Sequence, residues 1–264
     1  MKIGFIGCGN MGGALARAVL KNKQTKVYIS DFFTEKAESF AKETGAVATN
    51  NFDIAENCDF IFLAVKPANF PATLEPLKES FTKNPGSVIV TIAAGLSLEK
   101  VGAMIGSAHS IIRIMPNTPV LLGKGMITWC KNSLVTDEQR EEFLKILQFA
   151  GRLDEIDEKL IDAASAVAGC GPAFVYMFIE ALADGAVECG LPRDKAMAYA
   201  AETLIGAAEM VLKTGKHPGL LKDEVCSPGG STIEGVKALE DAKFRAATAS
   251  AVIAAYEKTK KLGK

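Results

Sequence analysis

The chain has 264 residues, 48% of them hydrophobic and 23% charged, with 30 lysines and arginines against 31 aspartates and glutamates for a net charge of -1. This is the composition of a folded protein, and it excludes a basic nucleic-acid face and an acidic solvating tail. At about 100–200 residues per domain, the length favours two domains.

Six cysteines (Cys8, Cys58, Cys130, Cys170, Cys189 and Cys226) form no CxxC pair, and the only histidines are His109 and His217. Nothing in that set has the spacing of a metal site, and scattered thiols suit a reducing compartment. The apolar runs at 60–65 and 88–92 are far shorter than the roughly 18 residues of a membrane span. Gly7, Gly9 and Asn10 break the N-terminal apolar run too early for a signal peptide. The expectation is a cytoplasmic protein with no membrane and no nucleic-acid partner.

In chain order, Lys2–Ile6 is a β-rich run that ends at glycines. Further short apolar runs follow at 27–30, 60–65, 88–92, 110–114 and 126–129, with helix-length segments between them. Strands this continuously apolar suit a parallel sheet covered on both faces, and the spacing predicts βαβ units. From about residue 155 the strands stop. Residues 173–189 predict a helix, with Pro172 at its favoured first position and Gly190 just past its end. Arg193–Thr214 predicts a second helix, closed by Gly215, and 243–261 a third. The expected organisation is an α/β parallel-sheet domain over residues 1–155 and an all-helical domain over 156–264. The helices carry apolar residues around much of their circumference, as between Ala173 and Ala186. Such a surface is either core or an interface between copies of the chain, and its extent favours a homo-oligomer.

Directly after the first strand, Gly7-Cys8-Gly9-Asn10-Met11-Gly12 reads GxGxxG, and a helix follows with Met11, Leu15, Ala18 and Val19 on one face. Strand, glycine turn and helix together make the dinucleotide-binding unit of a Rossmann-type domain. The first glycine permits the turn, the second lets the backbone approach a pyrophosphate, and the third allows close packing of helix on strand. Asp31 stands at the end of the second strand, where an acid would accept from the ribose 2′-hydroxyl of NAD. The segment Ser30-Asp31-Phe32-Phe33-Thr34-Glu35 offers no cation for a 2′-phosphate, and only Lys36 follows. This leans toward NADH over NADPH. The alternative role for Asp31 is a cap on the next helix.

A second glycine motif, Gly229-Gly230-Ser231-Thr232, opens a helical stretch predicted from Ile233. Glycines at a helix start expose backbone N–H groups that can take a carboxylate. The alternative is an ordinary N-cap by Ser231 or Thr232.

Taken in order, these motifs resemble those of the pyrroline-5-carboxylate reductase family along nearly the whole chain. The resemblance is carried by Gly4-Phe5-Ile6-Gly7-Cys8-Gly9-Asn10-Met11, Ala64-Val65-Lys66-Pro67, Ala93-Ala94-Gly95 and Arg113-Ile114-Met115-Pro116-Asn117-Thr118-Pro119. It continues through Ala168-Gly169-Cys170-Gly171-Pro172-Ala173-Phe174, where the family usually has Ser in place of Cys170, and Ser227-Pro228-Gly229-Gly230-Ser231-Thr232. The resemblance implies reduction of the cyclic imine 1-pyrroline-5-carboxylate to L-proline by NADH or NADPH, the last step of proline biosynthesis. It implies cofactor contacts from Ile6, Gly7, Cys8, Gly9, Asn10, Met11, Ser30, Asn51, Ala64, Val65, Lys66, Pro67, Ala93, Ala94 and Gly95. It also implies a substrate site bordered by Glu158, Gly230, Ser231 and Thr232, and an intertwined helical dimer that can assemble into a ring of five dimers. Gly215 departs from an acidic residue found in some relatives.

The chemistry asks little of the side chains. A protonated imine is already a strong hydride acceptor, so positioning dominates and no catalytic His, Lys or Cys is required. Thr232 is the candidate to hydrogen-bond the ring nitrogen. His217, in His217-Pro218-Gly219, reads as part of a turn, Cys226 as a small filler, and Lys66 as a backbone position before proline. A β-hydroxyacid dehydrogenase would need a lysine as base on the helix after residue 171, and residues 171–189 contain none. A dinucleotide-sensing regulatory protein would account for the first glycine motif but not for the second.

Overall fold

The computed structural model describes residues 1–106 and 108–262. Its eight strands are β1 (Lys2–Ile6), β2 (Lys26–Ser30), β3 (Val47–Ala48), β4 (Phe60–Leu63), β5 (Val88–Thr91), β6 (Ser110–Met115), β7 (Gly125–Lys131) and β8 (Gly151–Glu155). They form one sheet in the order β3-β2-β1-β4-β5-β6-β7-β8. All neighbours are parallel except β6 and β7. The helices between and after them are α1 (Asn10–Leu20), α2 (Thr34–Thr44), α3 (Asn51–Asn57), α4 (Phe70–Leu74), α5 (Lys78–Lys83), α6 (Leu98–Ile105), α7 (Asp137–Leu147), α8 (Glu158–Ala168), α9 (Gly171–Glu188), α10 (Arg193–Thr214), α11 (Pro218–Val225), α12 (Ser231–Asp241) and α13 (Phe244–Leu262).

The continuous apolar runs become strands because both faces of the sheet are covered. Alternate residues of each strand feed two cores. On one side Phe5, Ile29, Phe62, Val90 and Ile114 pack against α1, α2 and α7. On the other Ile6, Ile61, Ile89 and Ile111 pack against α3, α4, α5, α6 and α8. Phe5 and Phe62, paired in register on β1 and β4, stack with ring centroids 4.5 Å apart. Trp129 of β7 meets Phe143 of α7 at 5.0 Å. Aromatic contacts of this kind add about 0.5–1.5 kcal/mol beyond the area they bury.

Three features depart from the sequence reading. β7 runs antiparallel to β6, so the sheet is mixed rather than wholly parallel. The two-residue β3 is too short to show a period. β8 escaped notice because its sequence, Gly151-Arg152-Leu153-Asp154-Glu155, is mostly charged, as befits a half-exposed edge strand.

The chain divides into two compact units. One comprises Met1–Cys170 with the segment from Ala254 onward, and the other comprises Gly171–Ile253. The change from strand to helix falls after Glu155, but the first unit continues through α8, which packs on β7 and sends Ile161 into the sheet core.

The second unit is all helical. α10 ends at Gly215, which adopts φ +66°, so the predicted stop coincides with the observed one. Its α9–α10 pair buries only Ala183, Ala196 and Ala200 as a core. Val175, Tyr176, Met177, Tyr199, Ile205, Leu212 and Ile253 lie exposed. The helical stretch Glu158–Glu188, which contains no long unbroken apolar run, is by length and composition apolar enough to cross a membrane. It is interrupted between α8 and α9; α8 buries Ile161, Ser165 and Ala166 within the protein, and α9 buries only Ala183.

Candidate active site

The sheet order places β1 between β2 and β4, the point where successive crossovers pass to opposite sides. In such sheets ligands bind in the crevice beyond the carboxyl ends of the strands. The three loops that line it follow β1, β4 and β5. They carry Gly7 to Gly9, Ala64 to Pro67, and Ala93 to Gly95.

The glycines of the first loop have distinct local reasons. Gly7 adopts φ +110°, its N–H donates to Ser30 O at 2.9 Å, and a Cβ there would stand 2.6 Å from Ala64 O. Gly12 faces Gly7 O and Ala64 Cβ so closely that a side chain would overlap both. Gly9 differs: a Cβ there would meet nothing within 4 Å. It caps α1 without a side-chain bond, so the N–H groups of the first turn, from Asn10 and Met11, have no partner from the cap. An open concavity lined by N–H groups at the positive end of a helix fits a diphosphate.

At the end of β2 the Asp31 carboxylate is engaged by backbone N–H groups, and it is not the α2 cap. Its Oδ2 accepts from Cys8 N at 2.7 Å and its Oδ1 from Phe33 N at 3.1 Å, tying the glycine loop to the start of α2. The α2 cap residue is Phe33. An ionised carboxylate has about four lone-pair sites, so roughly two remain for a ribose diol. Burial first, and then the Asp31 charge, push the Cys8 thiol upward. It stays protonated, as do Cys58 and Cys130, both raised to about 12 chiefly by burial. The Ser30 hydroxyl is buried and donates to Asn51 Oδ1 at 2.6 Å. Ser30 therefore positions Asn51, the first residue of α3, and leaves the Asn51 amide donors for other partners. The fold also brings in a cation that the β2–α2 segment lacks. Arg17 of α1 lines an open cavity of about 370 Å³ with Cys8, Lys36 and Phe40. It is held in a bidentate pair with Glu43 at 2.9 and 2.7 Å and lies over the Phe40 ring.

Along the crevice, Ala64 N donates to Ile6 O at 2.8 Å, keeping β4 in register up to its last residues, and Lys66 and Pro67 open a short 3-10 turn. Ala93 is buried, Ala94 is half-buried, and Gly95 turns at φ +77° ahead of α6. Glu158, the first residue of α8, reaches the same region. Its Oε1 accepts from Leu98 N at 2.7 Å, at the N-terminus of α6, and lies 3.5 Å from Arg113 Nη1. Asn117 clasps the end of α8 by donating to Ala168 O at 2.9 Å and accepting from Met126 N at 2.9 Å. In the sequence, Arg113 and Asn117 stand out only as parts of a motif. Their pairing across 45–51 residues of chain appears only in the fold.

In the second unit, Gly229 adopts φ +68° and Gly230 N donates to Ser227 O at 3.0 Å, closing a turn before α12. The helix begins at Ser231, two residues earlier than expected, and Gly230 is its cap with no side-chain bond. Ser231 and Thr232 are thus the first two helical residues, and the N-cap alternative for their hydroxyls is removed. Both are exposed. His217 has a definite structural role, since its Nδ1 accepts from Gly219 N at 3.1 Å and caps α11.

A family model described as pyrroline-5-carboxylate reductase dimerisation matches residues 158–262, and one described as NADP oxidoreductase coenzyme F420-dependent matches residues 2–95. A pyrroline-5-carboxylate reductase from Escherichia coli (strain K12) is 42% identical over 100% of this chain and 98% of its own length. One from Arabidopsis thaliana is 37% identical over 99% and 95%. The crystal structure of Plasmodium falciparum pyrroline carboxylate reductase with NADP bound superposes with a TM-score of 0.91 at 35% identity, covering 100% of this chain and 98% of that one. With similarity running end to end at this level, through both glycine motifs and the helical unit alike, the chain belongs to the pyrroline-5-carboxylate reductase family.

Proposed function

We propose that this protein reduces 1-pyrroline-5-carboxylate to L-proline with NAD(P)H, the closing step of proline biosynthesis. The observation that carries the reading is the pair of glycine-capped helix N-termini, at Gly9 and at Gly230, within a chain related end to end to reductases of this name. Residues 1–155 hold the dinucleotide: Ile6 to Met11 at the diphosphate, Asp31 and Asn51 toward the adenosine ribose, with Ser30 behind Asn51. The 64–67 and 93–95 loops lie along the crevice. Residues 156–264 supply the substrate groups, namely Glu158, Gly230, Ser231 and Thr232, and a second copy of the chain completes the helical unit. Assembly of five such dimers into a ring is the finer form of the same proposal. A cytoplasmic setting goes with it, in keeping with six unpaired cysteines.

The bound reduced nicotinamide supplies the hydride. The protein must hold the imine and leave its carbon accessible. The N–H groups at the start of α12 suit the substrate carboxylate, and the Thr232 hydroxyl, exposed and not used as a cap, suits the ring nitrogen. Turnover of pyrroline-5-carboxylate with dinucleotide oxidation is the direct assay, and Thr232→Val is the informative variant. Valine keeps the shape and removes a hydrogen bond worth roughly 1.5–3 kcal/mol to a charged group, so kcat/KM should fall about 10–150-fold. Dinucleotide affinity should barely change. A variant that turns over within about twofold of the parent would leave orientation to backbone groups alone.

Asp31 supports a preference for NADH, because its charge lies at the mouth of the glycine loop while Arg17 is neutralised by Glu43. Asp31→Ser should shift the ratio of kcat/KM for NADPH to that for NADH upward by about tenfold, the effect of removing roughly 1.4 kcal/mol of charge repulsion. A parent enzyme that already prefers NADPH strongly would defeat this assignment.

A further inference from the structure

An arginine in the middle of β6 is out of place by composition. The strand reads Ser-Ile-Ile-Arg-Ile-Met, every residue is buried, and Arg113 lies on the same face as Ile111 and Met115, in the core that α8 covers. Its side chain is 4% exposed. Nη2 donates to Asp162 Oδ1 at 2.5 Å, Nη1 lies 3.5 Å from Glu158 Oε1, and Nε is buried with no acceptor among the described residues. Glu158 and Asp162 are four residues apart on α8, so one guanidinium spans two successive turns of the helix. Such clusters are commonly no more stabilising than apolar side chains of the same size. The retained charge therefore asks for a role other than stability.

The contact that suggests one is the far side of Glu158. The oxygen nearest Arg113 also accepts from the N–H of Leu98, the first residue of α6, in a charge-assisted bond at the positive end of that helix. α6 begins just after Ala93, Ala94 and Gly95, whose backbone lines the dinucleotide crevice. A continuous line of contact thus runs from β6 through Arg113 and Glu158 to the N-terminus of α6 and its loop.

We propose that Arg113 is a positioning residue for the dinucleotide: by fixing Glu158 between β6 and α6, it holds the 93–95 loop in its binding conformation. The inference rests on the dinucleotide site assigned above but not on the identity of the imine. Asp162 is the anchor of the guanidinium and Glu158 its working end. Ser97 caps α6 separately, through Lys100 N, so the helix itself survives loss of Glu158.

The test measures NADH and NADPH dissociation constants by fluorescence titration without substrate, together with melting temperature. The variants are Arg113→Met, Arg113→Lys, Glu158→Gln, Asp162→Asn and the double Arg113→Met/Glu158→Gln. Arg113→Met and Glu158→Gln should each weaken dinucleotide binding about tenfold, the scale of one lost charge-assisted bond, and the double should bind no more weakly than the worse single. Asp162→Asn, which keeps the Arg113–Glu158 contact, should change binding by less than about twofold while lowering the melting temperature. Arg113→Lys, with one ammonium for two carboxylates, should fall between parent and methionine variant. If Arg113→Met does not fold, Arg113→Lys against Glu158→Gln decides by the same comparison. Unchanged affinity in a folded Arg113 variant, or losses that multiply in the double, would overturn the proposal. Because no imine is present, failure here is separate from failure of the reductase reading, which the turnover assay alone decides.

Discussion

Replacing Gly9 by alanine is expected to leave the fold untouched and to abolish most dinucleotide binding, whereas Gly7→Ala is expected to damage both. The two glycines stand two residues apart in one loop, but their surroundings are opposite. Gly9 has an ordinary φ of -73°, and a Cβ there meets no protein atom within 4 Å, so the melting temperature should change by no more than a neutral surface substitution does, within about 0.5 kcal/mol. The added methyl group occupies the concavity above the first turn of α1. It would displace a diphosphate from at least one backbone N–H group, a bond worth roughly 1.5–3 kcal/mol to a charged group, for a loss of about 10–150-fold in affinity per bond. Gly7, at φ +110° and with Ala64 O 2.6 Å from where a methyl carbon would stand, has no such freedom. Alanine there should cost about 2 kcal/mol or more and lower the melting temperature by several degrees. Thermal melts alongside calorimetric titration of NADH separate the two. A Gly9→Ala protein that binds NADH like the parent would mean the cradle is not where the diphosphate lies.

The second large effect concerns assembly. Met177 is 69% exposed on α9, so in a monomer Met177→Asp should be nearly silent. In an assembly that buries this face, the same substitution places a second carboxylate beside Glu180, among Tyr176, Ile179 and Met197. A buried unpaired charge costs several kcal/mol, enough to dissociate the complex and unfold helices whose only buried residues are three alanines. We expect Met177→Asp to lose its quaternary structure in sedimentation velocity, much of its helical circular dichroism and all activity together. The parent protein should show no folded monomer at any dilution at which it is measurable, because the isolated helical unit buries too little to offset its ordering entropy. A folded, active monomer, parent or variant, would refute this.

Much of the first unit could be read from the residues in order. Strands appear as continuous apolar runs because both faces of the sheet are covered, and the glycine loop appears because its three glycines answer to three local constraints. Helix ends at Gly190 and Gly215 were legible for the same local reason, a left-handed residue that only glycine adopts cheaply. β8 was not legible, since a charged edge strand has no apolar period and exists only because β7 offers it a partner. Nor was the direction of β7, because a strand looks the same from either end.

At the site, the sequence by itself determined which backbone stretches could bind anions: a GxGxxG after a strand and a Gly-Gly-Ser-Thr before a helix are statements about local dihedral angles and exposed N–H groups. Only the tertiary structure decided what the side chains around them do. Asp31 turned out to clamp Cys8 and Phe33, Ser30 to hold Asn51, His217 to cap α11, and Arg17 to reach α2 from α1. The pairing of Arg113 with Glu158 and Asp162 likewise depends on α8 packing on β7, next to the strand that carries Arg113. Backbone conformation is set within a few residues and leaves its mark in composition, whereas the partner of a polar side chain is set by elements folded together from far along the chain.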